Sequence, residues 1–137
     1  MIRWLNSLQP WGVFLLRLVL GVTMAVHGWQ KIAPAHGFNV HNPLAGFEHF
    51  AHYIATLHLP YWLGYVSVLT EFLGGLFLIF GLFVRFAAFM IAGNMLVALV
   101  MVGIHQGFGI SSYIVELLAI AIMLMLTGPG AAAISRN

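Results

Sequence analysis

Apolar residues fall into four long runs along the chain, 11–32, 61–84, 86–104 and 113–126, separated by two short polar breaks and one long one. A helix rises 1.5 Å per residue, so about 20 apolar residues cross a hydrocarbon core of ~30 Å. No segment shows the strict alternation of a membrane strand. The pattern predicts an all-α integral membrane protein: an antiparallel four-helix transmembrane bundle forming a single domain over residues 1–137.

The long break, residues 33–60, carries its own pattern. Pro34, Gly37 and Asn39 end the first helix, and Asn42-Pro43 is the N-cap and first-turn proline of a new one. Beyond it Leu44, Phe47, Phe50, Ala51, Ile54 and Leu57 recur at helical spacing, with Glu48, His49 and His52 mostly off that stripe. This predicts a short amphipathic helix over about 43–58, lying at the interface or capping the bundle. The opening MIRWLNSLQP reads as an interfacial lead-in, and the closing AAAISRN as a short mobile tail. The first run reads as a retained helix, because Arg17 interrupts its apolar region and no clear A-x-A cleavage site follows.

Composition sharpens the class. Of 137 residues, 62% are hydrophobic and 6% charged, with mean hydropathy +1.01. Soluble domains carry roughly 25% charged residues, so a water-facing coat is impossible here. The net charge of +2 comes from five scattered basic residues, which is no footprint for nucleic acid. The absence of cysteine excludes disulfides, thiolate nucleophiles and Cys-ligated metals. Arg3, Arg85 and Arg136 share one end of the bundle and Lys31 the other, so the positive-inside rule places both termini in the cytoplasm.

Against this apolar background the ionisable residues stand out. A carboxylate in the hydrocarbon core costs at least ~2.5–3.5 kcal/mol unless paired, protonated or wetted. Glu71 sits near the middle of the second run, with Gly74, Gly75, Leu78, Gly81 and Leu82 within about 80° of it on a helical wheel. Small residues on that face admit a neighbouring helix. On the first helix Arg17, Gly21, His27, Gly28 and Lys31 share a broad face, and Glu116 lies in the fourth. Matching by depth predicts an Arg17–Glu71 pair deep in the bundle, and Glu116 with His27 or Lys31 nearer the outside. Glu71, Glu116 and His27 are the candidate proton-relay residues. Arg17, Lys31, Gly74, Gly75, Asn94 and His105 are the candidate ligand-binding ones. The plainer alternative is that the ion pairs only hold the helices in register, with Gly74-Gly75 a packing contact and Asn94 an interhelical hydrogen-bonder.

Five of the seven histidines, His36, His41, His49, His52 and His58, lie in the long break. His49 and His52 stand at i, i+3 and offer a weak metal pair, outweighed by a role as interfacial polar groups. No haem-attachment, P-loop or metalloprotease motif occurs, so neither metal nor haem is expected.

Taken in order, LRLVLGVTMAVHGWQKI, a loop ending LHLP, and TEFLGGLFLIFGLFVR resemble the DoxX family. The matching positions are Arg17, His27, Gly28 and Lys31 in the first helix. Glu71, Gly74, Gly75, Gly81, Leu82 and Arg85 match in the second, and Glu116 in the last. The resemblance implies a small four-helix protein of a bacterial or archaeal inner membrane. Some family members are subunits of thiosulfate:quinone oxidoreductase, and others are linked to quinone or redox stress. The expected function is therefore a membrane subunit of a quinone-linked redox system, binding a quinone head group or small anion and relaying protons. The alternative is a non-catalytic membrane module that binds a partner or a small amphipathic ligand, and a proton-coupled transporter is a third reading. Expected partners are the lipid membrane, a quinone or small anion, and a hetero-complex partner or a second copy.

Overall fold

A computed structural model of the chain describes residues 2–33 and 41–135. The helix break at Pro34, Gly37 and Asn39, together with His36 and Arg136, lies outside the described residues. Six α-helices follow one another: α1 Ile2–Ser7, α2 Gln9–Ile32, α3 Ala45–Thr56, α4 Trp62–Phe80, α5 Val84–Met101 and α6 Phe108–Thr127. A 3-10 turn, Gly103–His105, precedes α6. There is no strand among the described residues. Helices α2, α4 and α6, and α5 extended through the 3-10 turn, are each long and apolar enough to cross a membrane. They form an antiparallel bundle, and the protein is an all-α integral membrane protein.

Two glycine contacts set the bundle's closest crossing. A Cβ on Gly75 would stand 2.5 Å from Ala25 N and 2.6 Å from Gly21 O, and one on Gly28 2.6 Å from Phe72 N. Backbone meets backbone there, so α2 and α4 pack without side chains between them. Gly74, its neighbour, turns the other way and faces Ile91 of α5. The remaining core is aliphatic. Leu20 and Met24 of α2, Leu78 of α4, Ile91 of α5 and Ala121 and Leu124 of α6 are buried at helical spacing. The opposite stripe of α2, through Leu15, Val19, Val22 and Val26, is exposed and apolar, as a face against acyl chains must be.

The α4–α5 turn is tight because Gly81 adopts the left-handed conformation (φ 73°), closing α4 with paired bonds from Gly81 N–H to Leu78 O and Leu82 N–H to Phe77 O. Helix α3 starts later than its sequence pattern suggests. Asn42 and Pro43 form the turn before it, with Ala45 N–H donating to Asn42 O at 3.1 Å, and Leu44 precedes the first helical residue. Its Gly46, Ala51 and Ile54 are buried while Glu48, His49 and His52 face outward. Ala51 presses so closely on Gly64 of α4 that a Cβ there would lie 2.5 Å from Ala51 Cα. The amphipathic helix thus caps the bundle over the end of α2.

The tail corrects the expectation of a mobile end. Residues 129–135 cross the opposite end of the bundle, where Ala131 N–H donates to Pro10 O, Ile134 N–H to Phe80 O and Ser135 N–H to Gly81 O. The segment bridges the ends of α2 and α4.

Candidate functional site

The fully buried Arg17 is the anchor of that tail, not the partner of Glu71. Its Nη1 donates to Pro129 O at 2.9 Å and Ala131 O at 3.2 Å, and its Nη2 to Ala132 O at 2.8 Å. The expected Arg17–Glu71 pair fails on helix offset. Gly28 is abreast of Phe72, so Arg17, eleven residues earlier, lies ~16 Å from the level of Glu71. The guanidinium reaches the other way, to the end where the chain supplies carbonyls.

Lys31 takes its place. It leaves α2 one turn above Gly28, and its stem reaches down under α3. Nζ donates to Oε1 and Oε2 of Glu71, each at 2.8 Å, and sits 4.1 Å from the centre of the Phe50 ring. The α4 residues Ser67 and Glu71 stand at i, i+4 and share a face. Asn94 of α5 bridges them: its Nδ2 donates to Glu71 Oε1 at 3.1 Å, and Ser67 Oγ donates to its Oδ1 at 2.6 Å. A carboxylate with a side chain only 6% accessible therefore receives three donated bonds and one compensating charge. Burying the pair costs desolvation on both sides, and these bonds offset it.

This polar chain lines one wall of a cavity of about 470 Å³ enclosed by α3, α4 and α5. That volume falls in the range of small-molecule sites. The other walls are mainly apolar, with Phe50, Leu63, Phe89, Met90, Val97 and Met101 among them, beside Tyr53 and Thr70. Val66, Phe89 and Val97 line the cavity and are also exposed on the bundle surface, so it opens sideways between α4 and α5, toward the lipid. Lys31 lines the cavity too and keeps 28% of its side chain accessible. The arrangement presents an ammonium, a carboxylate and an amide to a lipid-soluble molecule with a polar head.

Of the residues singled out in the sequence, Lys31, Glu71 and Asn94 come together. Arg17 is elsewhere, and Gly74 and Gly75 serve helix contacts away from this cavity. His105 is exposed in the 3-10 turn. His27 does not meet Glu116: its Nε2 lies 2.8 Å from Tyr113 Oη, and Glu116 stands exposed on α6. His49 and His52 are exposed, and His52 packs edge-on to Tyr61 with ring centres 5.3 Å apart. No group of three or more potential metal ligands gathers among the described residues. Sequence reasoning missed Ser67, Phe50 and Tyr113. Ser67 was accessible through its i−4 spacing from Glu71 and Phe50 through the α3 stripe, whereas nothing local marks Tyr113.

Comparison with known proteins agrees with this architecture. The chain is similar to a protein named "Putative oxidoreductase CatD" of Bacillus subtilis, with 29% identity over 118 residues, 85% of this chain and 79% of that one. It is also similar to "Inner membrane protein YqjF" of Escherichia coli, with 26% identity over 136 residues, covering 96% of this chain and 95% of the relative. No solved structure matches it. The DoxX family model matches residues 12–106, which include Lys31, Glu71 and Asn94 and most of the cavity wall, and the chain belongs to the DoxX family.

Proposed function

We propose that the protein binds a quinone in the α3–α4–α5 cavity, as a membrane subunit of a quinone-linked redox system. The observation that carries this reading is the connected polar chain Lys31–Glu71–Asn94–Ser67 on one wall of a predominantly apolar cavity open to the lipid. A quinone is apolar along its tail and has two carbonyl acceptors on its ring. Lys31 and Asn94 carry the N–H groups that such acceptors require. Glu71, between them, is placed to pass protons when the ring takes two electrons and two protons to become the quinol. The electrons would come from a partner subunit. The oxidoreductase name of one relative and the inner-membrane name of the other support a redox role in a bacterial or archaeal inner membrane. Arg3, Arg85 and the Arg17 head group gather at the end of the bundle opposite α3, which the positive-inside rule favours as cytoplasmic, termini included.

The test is lipid analysis of protein purified in mild detergent, followed by titration with a short-chain quinone. Co-purifying quinone in the wild type is expected, with affinity reduced at least roughly tenfold in Lys31→Met, the loss of one charged donor. Gly93→Leu is the companion variant. Gly93 lines the cavity and a Cβ there meets nothing within 4 Å, so the side chain fills the space without touching the polar wall. Quinone no more abundant than in an unrelated membrane protein, or binding unchanged by Gly93→Leu, would remove the proposal. The second reading, a non-catalytic module, is favoured by the completeness of the Lys31–Glu71 pairing within the chain. It predicts that Lys31→Met lowers stability while ligand binding at Gly93→Leu and wild type is equal.

A further inference from the structure

The α3–α4–α5 cavity does not end at its polar wall. A second, smaller hollow of about 200 Å³ adjoins it, and Thr70 of α4 and Met90 of α5 line both. Beyond those two residues its walls include Leu73, Phe77, Phe86 and Ala87, and no ionisable group lines it. Each helix carries the two spaces on one face. On α4, Leu63, Ser67, Thr70, Gly74 and Phe77 stand at i, i+4, i+7, i+11 and i+14; the first two line the cavity and the last two the hollow. On α5, Phe86, Met90, Gly93 and Val97 stand at i, i+4, i+7 and i+11, running from the hollow back into the cavity. Cavity and hollow are one seam between two antiparallel helices.

The two ends of the seam differ. At the cavity end α3 lies across it through Phe50, Tyr53 and Leu57, and Lys31 reaches in from α2. A molecule whose polar head meets Lys31 and Asn94 therefore extends away from α3, toward the Gly81 turn. In that direction the seam continues for ~10 Å, the rise from Thr70 to Phe77. Its rim, Leu69, Leu73 and Phe86, is exposed at the level of acyl chains. Its floor is packed: Ala87 is buried, and a Cβ on Gly74 would stand 3.2 Å from Ile91 Cδ1. The hollow is thus an apolar trough that begins beside the polar wall. Left empty, its lining would forfeit dispersion contacts.

We propose that the prenyl tail of the bound quinone lies in this trough, so that head and tail follow the α4–α5 seam from Asn94 to Phe86. The assignment rests on the cavity's holding the quinone head. Continuity carries it: a tail that leaves the head past Thr70 and Met90 is already between the trough's walls. A phospholipid chain hangs from a head group at the membrane surface, whereas the trough starts inside the membrane, next to a site for a polar head. Because lipid is as apolar as leucine, the trough favours a tail through close packing along its walls and floor, not through the hydrophobic effect.

The test uses the full chain in lipid nanodiscs and two probes with the same quinone head. One has no tail; the other has a short prenyl tail, ~10 Å long to match the trough, with a diazirine at its tip. Irradiation of the tailed probe should label Phe77 or Phe86 in preference to the lipid-facing stripe of α2, Leu15 to Val26. The tail-less quinone, at about ten times its own dissociation constant, should lower that label roughly tenfold. Leu73→Trp changes an exposed wall of the trough, so it should lower the label several-fold and leave tail-less binding unchanged. With the tail-less quinone still bound, three results would each overturn the tail's placement and leave the cavity reading intact. They are label scattered over the lipid-facing surface, label in the trough that the tail-less quinone does not displace (the mark of a lipid chain), and label unaffected by Leu73→Trp. No binding of the tail-less quinone to the wild type would sink both readings.

Discussion

Replacing Lys31 by methionine keeps most of the stem and removes the charge on which Glu71 depends. Glu71 would then keep only the Asn94 amide, on a side chain 6% accessible. An uncompensated buried carboxylate costs about 3–5 kcal/mol. Glu71→Gln is milder. The amide oxygen still accepts from Asn94, and the Lys31 head, 28% accessible, can swing into the cavity, so a loss of about 1–2 kcal/mol is expected. The double variant Lys31→Met/Glu71→Gln strands no charge at all. It should be more stable than the sum of the two losses by about 2–3 kcal/mol. Denaturant titration in mixed micelles, followed through the four tryptophans, measures all three. Losses additive within about 0.5 kcal/mol would show that the pair is not coupled and would refute this account of the site.

Two further outcomes follow from packing. Arg17→Met removes all three bonds to the tail carbonyls, and amide exchange at Ala131, Ile134 and Ser135 should speed at least roughly tenfold; unchanged protection would show that the backbone bonds alone hold the segment. Gly75→Ala, where the new methyl would stand 2.5 Å from a backbone nitrogen, should cost about 1–3 kcal/mol. The same exchange at Gly12, which meets nothing within 4 Å, should stabilise by about 0.5–1 kcal/mol in a thermal melt.

Hydropathy alone locates the four crossings, because each helix must present apolar side chains to lipid over its whole length. The glycine stripe on α4 and the burial of Glu71 were equally legible, since a helical wheel needs only local spacing. The partner of Glu71 was not. Pairing by depth assumed that α2 and α4 begin at one level, whereas the crossing of Gly28 with Phe72 sets them apart by several residues. Periodicity carries no information on such a vertical offset. The closing AAAISRN reads as mobile for a similar reason. It has no pattern of its own, and its order comes from carbonyls meeting a side chain 112 to 115 positions away. Tyr113 was hidden because its neighbour His27 lies on another helix.

That long separation orders events during synthesis. When α2 leaves the ribosome its guanidinium enters the bilayer with no acceptor available, since the carbonyls it needs belong to residues translated more than a hundred positions later. Until they arrive, the arginine has to shelter among phosphate head groups, holding the first helix shallow or tilted. The first segment inserted is thus among the last to take its final pose, and a bulky fusion close behind Ser135 would catch the nascent protein at that step.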